Sequence, residues 1–125
     1  MSHFKITEFS CKDGCGLNSP AQELIQRLEI ARTRADIPFI IESACRCQKH
    51  NAKVGGKDNS AHLPNASGLC EAVDILVTTS NERFKILESL FHAGFERVGI
   101  GNTFLHCDVS KTNPVKCVWL YPTKE

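Results

Sequence analysis

Three residues in this sequence have the types and the spacing to hold a metal ion: His62, Asp74 and His106. Two imidazoles and one carboxylate are a common ligand set for catalytic Zn²⁺, because they leave the fourth tetrahedral position open for a water molecule. The alternative is that both histidines are hydrogen-bonded core residues and that Asp74 pairs with a backbone donor at a strand end. A metal accounts better for Asp74, because residues 72–75 read A-V-D-I and an unpartnered charge in an apolar run is costly.

An amphipathic helix is predicted ahead of these residues, over residues 20–36. Ser19 is expected to cap it, and Pro20 suits its first turn. Four apolar residues recur at helical spacing and should face the core: Leu24, Ile25, Leu28 and Ala31.

A second amphipathic helix is predicted over residues 81–93, capped by Ser80 or Asn81 and stopped by Gly94. The residues expected to point inward are Phe84, Leu87, Leu90 and Phe91.

Five short β-rich runs predict the strands of a sheet that is largely antiparallel: residues 39–43, 72–77, 97–101, 104–109 and 115–121. The first run places Arg46 just beyond its end, and the second carries Asp74. We therefore predict an α+β fold with the helices packed on one side of the sheet and the metal on its open face. No repeat, low-complexity tract or linker interrupts the chain, which predicts one domain over residues 1–125.

Composition limits the classes of function. A hydrophobic content of 42% in 125 residues can bury an ordinary core, and a formal net charge of +1 argues against a protein that binds nucleic acid electrostatically. The lysines at 49, 53 and 57 are expected on a solvated loop. The sequence has neither an apolar run of about eighteen residues nor the pattern of an export signal, so no membrane insertion and no signal peptide are expected.

The sequence contains seven cysteines, an odd number that cannot pair completely within one chain: Cys11, Cys15, Cys45, Cys47, Cys70, Cys107 and Cys117. They can form a second metal site, form disulfides between the first two and the 45–47 segment, or remain buried thiols. The spacings C-x-x-x-C and C-x-C both differ from the C-x-x-C pair of a zinc ribbon, which disfavours a structural zinc site. Cys107 should point away from the metal because it alternates with His106 along a strand, and Cys70 is the thiol to consider as an unusual ligand.

Several motifs in order resemble the zinc D-alanyl-D-alanine carboxypeptidase family, which also contains peptidoglycan endopeptidases, and in particular its short single-domain subfamily. In that family S-G-x-R is followed by H-N, V-G-G, S-x-H-x-x-G-x-A-x-D-I and a later H-x-D. The counterparts here are Ser43, Arg46, His50, Asn51, residues 54–56, Ser60, His62, residues 72–75, His106 and Asp108. The opening F-K-I-T-E-F-S-C-K-D-G-C-G is also similar to the subfamily, so the resemblance covers almost the whole chain.

The sequence departs from the family between its first two predicted ligands. Eleven residues separate His62 from Asp74, which is longer than the family spacing. An insertion of about five residues around positions 64–70 accounts for the difference, since this stretch contains Pro64, Asn65 and Gly68 and reads as a loop. Such a loop can bulge outward without moving either ligand.

The resemblance implies a hedgehog-like or DD-peptidase-like fold and a zinc metallopeptidase that cleaves peptidoglycan stem peptides or cross-bridges. By this resemblance the enzyme is expected to be a D,D-carboxypeptidase or an endopeptidase, with a phage-type endolysin as one form. The resemblance also implies that Arg46 binds the substrate carboxylate or the developing oxyanion, which suits an always-charged planar donor. Ser60 is expected to bind substrate or orient a ligand. The alternative, an ordinary polar residue in a turn, accounts for it equally well.

The general base is the least defined part of the predicted site. Many relatives have an acid three residues before the last zinc histidine, and this chain has Thr103 there. Asp108 is then the best remaining carboxylate, either as base or as a residue that orients His106, with Glu71 and Glu96 as weaker substitutes. Trp119 and Tyr121 can line the substrate groove or simply pack.

Two other classes of function stay open. A non-catalytic zinc-containing peptidoglycan-binding module, comparable to the hedgehog signalling domain, would keep the ligands and lack a base. A purely structural phage or cell-envelope component would need neither. For the peptidase and for the binding module we expect a monomer that is made in the cytoplasm and acts at the cell wall or periplasm after release or export.

Overall fold

One sheet of five strands organises the protein, whose computed structural model describes residues 3–122. The strands are β1 (Ile41–Ser43), β2 (Ala72–Leu76), β3 (Arg97–Ile100), β4 (Phe104–Asp108) and β5 (Cys117–Leu120). Their order across the sheet is β1-β2-β4-β3-β5. The pairs are antiparallel except β3 with β5, which run parallel.

The predicted α+β class with a largely antiparallel sheet is confirmed, and the pairing of β3 with β5 makes the sheet mixed. β4 brings the chain back to the end of the sheet where β3 begins, and residues 109–116 pass that end before β5 starts, so β5 runs in the same direction as β3. Parallel neighbours need such a connection, and a tight hairpin cannot provide it.

Within residues 3–122 three α-helices accompany the sheet: α1 (Gln22–Ala35), α2 (Gln48–Lys53) and α3 (Ser80–His92), together with a short 3₁₀ helix at Ile6–Phe9. α1 and α3 pack against each other and cover one face of the sheet. The fully buried residues at this interface include Leu24, Leu28, Leu90, Val73 and Leu105. The inward prediction for α1 is confirmed, with Ile25 at the margin of the core.

The two faces of the sheet differ because side chains alternate along each strand. On β2 and β4, Val73, Ile75, Leu105 and Cys107 all lie in the core. Asp74 and His106 alternate with them and are directly paired across the two strands. The face away from the helices therefore carries the predicted metal ligands, and Cys107 points away from them as expected.

The predicted start of α1 is wrong. The N-cap is Ala21, and Ser19 and Pro20 lie outside the helix. Pro20 forms a bridge with Cys70, in which the Cys70 amide donates to the Ser19 carbonyl and the Ala21 amide donates to the Cys70 carbonyl, both at 2.8 Å. This long-range pairing keeps the segment extended, which a local capping pattern cannot predict.

The cap and the inward face of α3 also differ from the prediction. Thr79 is the N-cap, and its hydroxyl accepts from the Glu82 amide at 3.1 Å, as a Thr-x-x-Glu capping box predicts. Phe84 and Phe91 are 69% and 45% exposed, whereas Ile86 and Leu90 are buried. Two neighbouring apolar stripes run along this helix, and packing against α1 selects the one that contains Ile86.

The helix α2 was not predicted, because residues 46–57 were interpreted as a solvated loop. Its six residues are too few to show helical periodicity. Its N-cap is Cys47, whose sulfur accepts from the His50 amide at 3.4 Å. The His50 carbonyl accepts from the Val54 amide at 3.0 Å, whereas the buried ring Nδ1 of His50 has no hydrogen-bond partner among residues 3–122.

Cys45 and Cys70 form a disulfide, while Cys11, Cys15, Cys47, Cys107 and Cys117 are free. The alternative of disulfides between Cys11 or Cys15 and the 45–47 segment is therefore wrong, and Cys70 is not a spare metal ligand. The disulfide ties the inserted loop to the segment after β1. The loop itself bulges outward, with residues 66–69 exposed, as predicted.

Within residues 3–122 no helix has the length and apolar character needed to cross a membrane.

Candidate metal centre

His62, Asp74 and His106 converge on the open face of the sheet, with one ligand atom of each within 4.8 Å of the others. Asp74 and His106 are cross-strand neighbours of β2 and β4, and His62 reaches them from the turn before the inserted loop. His106 Nδ1 lies 2.9 Å from Asp74 Oδ1, and His62 Nε2 lies 3.2 Å from the same oxygen. Both histidines are buried.

The other ring nitrogen of His62 determines which form of the ring is present. His62 Nδ1 lies 2.7 Å from the Ala44 carbonyl oxygen, which can only accept a hydrogen bond. Nδ1 must therefore carry the hydrogen, and the lone pair of the neutral ring is on Nε2, facing Asp74.

His106 is oriented in the same way by Asp108. His106 Nε2 donates to Asp108 Oδ2 at 2.7 Å, which leaves Nδ1 facing Asp74. Asp108 is itself fully engaged, because its Oδ1 accepts from Arg97 Nε at 2.7 Å and from the Ser110 amide at 3.0 Å. Its side chain has no exposure to solvent. A histidine ligand supported by a carboxylate is a common arrangement around protein-bound metals.

This arrangement fits a divalent cation. With neutral rings, two nitrogen lone pairs and a carboxylate oxygen would face one another across 2.9 and 3.2 Å, which is favourable only with a positive charge between them. Ligand atoms about 2.0–2.2 Å from one tetrahedral Zn²⁺ are separated by about 3.3 Å. The two distances from a histidine nitrogen to the Asp74 oxygen are therefore near the spacing that zinc requires.

The pKa values reflect the same competition for positive charge. Burial raises the pKa of Asp74, but the charges and hydrogen bonds of His62 and His106 outweigh it and hold that pKa well below its usual range. Burial lowers the pKa of His106, but hydrogen bonds to Asp108 and Asp74 raise it above the ordinary value. For His62 burial dominates, and its pKa is lowered. His106 is thus the ligand at which a proton competes with a metal.

Arg46 lies against the outer oxygen of Asp74. Its Nη2 donates to Asp74 Oδ2 at 3.2 Å, Nε to Ser43 Oγ at 3.1 Å and Nη1 to Asn51 Oδ1 at 3.2 Å. An arginine has five N–H donors, so two remain for another partner. Gly56 completes this arrangement, because a Cβ atom there would collide with Asn51 Oδ1.

A family model for peptidase M15 matches residues 2–108, which include all three candidate ligands and Arg46. The chain belongs to the peptidase M15 family. A search of curated proteins found no match. Members of the M15 family are zinc-dependent metallopeptidases, and this chain has a site of the matching type at His62, Asp74 and His106.

The sequence reasoning missed an acidic residue on β1, the strand beside the one that carries Asp74. Glu42 is exposed and lies at the irregularity in β1, where Ile41 pairs with Ile75 but Ser43 pairs with Asp74. Partial shielding from solvent raises the pKa of Glu42 above its ordinary value, and the nearby charge of Asp74 raises it further. The sequence signal was an acid in an apolar strand, at the position where the family motif begins. Bulges are frequent beside active sites.

Aromatic side chains border the M15 site on the side of β5. The Trp119 and Tyr121 rings lie 5.5 and 6.3 Å from the His106 ring, so both belong to the metal face. Gly99 pairs with both His106 and Trp119 and leaves room for them, because a Cβ atom there would lie 2.5 Å from Tyr121 Cε2. Arg97 also stacks on Trp119, 4.8 Å from the ring centroid, which links this wall to Asp108.

Ser60 lies beside the M15 site rather than in it. Its hydroxyl accepts from the His62 amide at 3.2 Å, which steadies the turn that presents His62. Ser60 also lines the larger of two cavities described, a groove of about 580 Å³ that includes Glu71 and Asn113. None of the three candidate ligands lines this groove, so the cavity adjoins the metal face without containing it. Thr103 lies in the turn before β4, exposed.

Proposed function

We propose that this M15 peptidase holds one Zn²⁺ with His62, Asp74 and His106 and hydrolyses peptide bonds in peptidoglycan stem peptides or cross-bridges. The observation that carries the proposal is the convergence of two oriented histidine lone pairs on one carboxylate oxygen, at 2.9 and 3.2 Å. When bound, zinc lowers the pKa of its water toward neutrality and polarises the scissile carbonyl.

In this proposal Asp108 is a positioning residue. Both of its oxygens are engaged and it is sealed from solvent, so it has no free path to a water molecule on the metal. Its negative charge instead makes His106 a stronger ligand and keeps Nδ1 directed at the metal.

Glu42 is the general base in this proposal. It is exposed, its charge interacts with that of Asp74, and its pKa is raised, which brings it closer to the pH at which a base works best. It would take the proton from the attacking water and pass it to the leaving amine. Glu42 lies on β1, the strand that pairs with β2, which carries Asp74.

Arg46 is proposed to bind the substrate. Its two free N–H donors lie beside the carboxylate of Asp74, where they can hold the terminal carboxylate of a D-alanyl peptide or the developing oxyanion. The aromatic wall of Trp119 and Tyr121 supplies an apolar surface for the small side chains of a stem peptide. Ser60 borders the adjoining groove, which offers space for the rest of the chain.

Two observations favour a second function. Asp108 is buried with both oxygens engaged, so it cannot act as base. The Glu42 side chain is not fixed by a hydrogen bond within residues 3–122. If Glu42 does not serve, the protein is a zinc-containing peptidoglycan-binding module. For either function we propose a monomer that works at the cell wall after release or export, an endolysin being one such enzyme.

The test measures zinc content and the release of free amine from purified peptidoglycan, with the products identified by mass spectrometry. We expect turnover in the wild type and none in His62→Ala, whereas His92→Ala, an exposed histidine at the end of α3, should behave as wild type. Release of D-alanine alone would indicate a carboxypeptidase, and separated cross-linked peptides an endopeptidase. Zinc binding with no turnover would replace the enzyme by the binding module.

A further inference from the structure

A second group of metal-ligand side chains lies outside the peptidase site. Cys11, Asp13, Cys15 and Cys47 each offer one ligand atom, and the four atoms lie within 4.8 Å of one another. We call these four residues the thiol cluster. Three of them come from the loop after the 3₁₀ helix, and Cys47 comes from the start of α2.

The distances within the thiol cluster are those of a common ligand sphere. The Cys11 and Cys47 sulfurs are 3.9 Å apart, and Cys47 Sγ lies 3.0 Å from Asp13 Oδ2. Two thiolates on one tetrahedral Zn²⁺, each about 2.3 Å from the metal, are separated by about 3.8 Å. A disulfide would place the sulfurs about 2 Å apart. The arrangement thus matches sulfurs that share a partner rather than sulfurs bonded to each other.

The loop that carries three of these residues is shaped to turn them inward together. Gly14 and Gly16 have φ values of +77° and +90°, in the region that favours glycine, so the chain can coil tightly around residues 11–16. The Gly14 amide donates to the Cys11 carbonyl at 3.3 Å and the Cys11 amide to the Leu17 carbonyl at 2.8 Å, which closes the loop. Alternate positions 11, 13 and 15 then supply sulfur, oxygen and sulfur.

The hydrophobic effect gives little reason for this grouping. Cys11 is buried but lies outside the main core cluster, Cys15 and Asp13 are exposed and Cys47 is only partly buried, so an apolar core does not account for the grouping. Cys107, by contrast, is a free thiol that the core surrounds completely. A cluster of three thiols and a carboxylate near the surface is the donor set that soft or borderline divalent metals prefer.

We propose that the thiol cluster binds a second zinc ion through the sulfurs of Cys11, Cys15 and Cys47 and one oxygen of Asp13. All four tetrahedral positions are then filled by protein atoms, which makes this a closed structural site, unlike the open site on the sheet. Binding displaces the thiol protons to solvent and involves no oxidation.

The second zinc would join the loop after the 3₁₀ helix to the start of α2. Besides the cluster, the Cys45 amide donates to the Phe9 carbonyl at 3.1 Å. Cys47 follows Arg46 directly, so fixing Cys47 also limits the movement of the arginine beside Asp74. The structural zinc would hold the start of the chain against the segment that delivers the substrate-binding residue.

The first measurement is the metal content of wild type and variants, purified with a metal-neutral phosphine reductant. We expect about two equivalents of zinc in the wild type and about one in His62→Ala, Cys15→Ser and Cys47→Ser. Cys117→Ser, a free cysteine on β5 outside the cluster, should keep both. Cys15 is exposed, so its replacement does not disturb the core and the test does not depend on a misfolded variant.

The second measurement replaces zinc by Co²⁺, whose absorption reports thiolate ligands. The thiolate charge-transfer band should appear in the wild type, persist in His62→Ala, and disappear in Cys15→Ser and Cys47→Ser. This readout is independent of peptidase activity, so failure of the proposed function leaves it unchanged. A wild type without the band, or a disulfide linking Cys47 to Cys11 or Cys15 in freshly isolated protein, would overturn the proposal.

Discussion

The peptidase site and the thiol cluster achieve convergence of ligands in opposite ways. Asp74 and His106 are paired across two central strands, and His62 and His106 are each held by a second hydrogen bond. The thiol cluster depends on a glycine-rich loop and the first residue of a short helix. The sheet therefore holds its ligands in place before any metal binds, whereas in the cluster the metal itself would supply much of the order.

The largest effect is expected when a ligand of the sheet site is removed. His62→Ala should abolish peptidase activity, because two remaining ligands cannot hold zinc with an open position. The fold should persist, since the sheet and the thiol cluster do not depend on His62. Amine release, circular dichroism and metal content check this, and retained activity would remove His62 from the metal site.

The next largest effect is expected at Glu42. Glu42→Gln keeps the shape and removes the base, so turnover should fall about 10²- to 10⁴-fold with zinc content unchanged. Glu96→Gln, an exposed acid just before β3, is the matched control. Unchanged turnover in Glu42→Gln would show that another group accepts the proton.

Replacing Asp108 tests whether this residue positions His106 or accepts a proton during catalysis. Asp108→Asn should weaken zinc binding about 10- to 100-fold, because His106 loses the carboxylate that orients it. Activity should then return when excess zinc is added. Asp36→Asn, at the left-handed C-cap of α1, is the control, since asparagine tolerates that conformation. A fall in kcat that excess zinc does not restore would assign the base to Asp108.

The affinity of the sheet site for zinc should fall at acid pH. The pKa of His106 is raised by its two carboxylate partners, so in the metal-free protein a proton stays on the ring above the ordinary value of about 6.5. Zinc must displace that proton, and its affinity should fall about tenfold for each pH unit below the raised pKa. Titration with a metal-buffered indicator from pH 8 to pH 6 checks this, and a pH-independent affinity would contradict it.

The same pKa shift predicts how the stability of the metal-free fold changes with pH. Protonated His106 stabilises it fully below the ordinary pKa, and this contribution is lost as the pH rises through the raised pKa. The melting temperature of metal-free protein should decrease over that range, whereas that of the zinc-loaded protein should not.

The smallest effect on catalysis is expected from the thiol cluster. Cys15→Ser should lower the melting temperature and leave kcat within about threefold of wild type, because the cluster supports the fold and Arg46 but touches no reacting atom. A rise in KM larger than the change in kcat would show that the cluster acts through Arg46. Loss of turnover equal to that of His62→Ala would contradict a purely structural role.

The ligand types, the strands that carry Asp74 and His106, and the family could all be predicted from the amino-acid sequence, because they depend on local alternation and on motifs in order. The exposed Phe84, the cap at Ala21 and the helix α2 depended on packing or on segments too short for periodicity.

The partners of the remaining polar groups depend on long-range packing and could not be predicted from local sequence. The sequence places Asp108 two residues from His106, yet the pairing with Arg97 and His106 that buries it is visible only in three dimensions. In the same way Cys11 and Cys47 lie far apart along the chain, and no spacing rule brings their sulfurs to 3.9 Å. Local sequence specifies which atoms can bind a metal, while long-range packing specifies which of them meet.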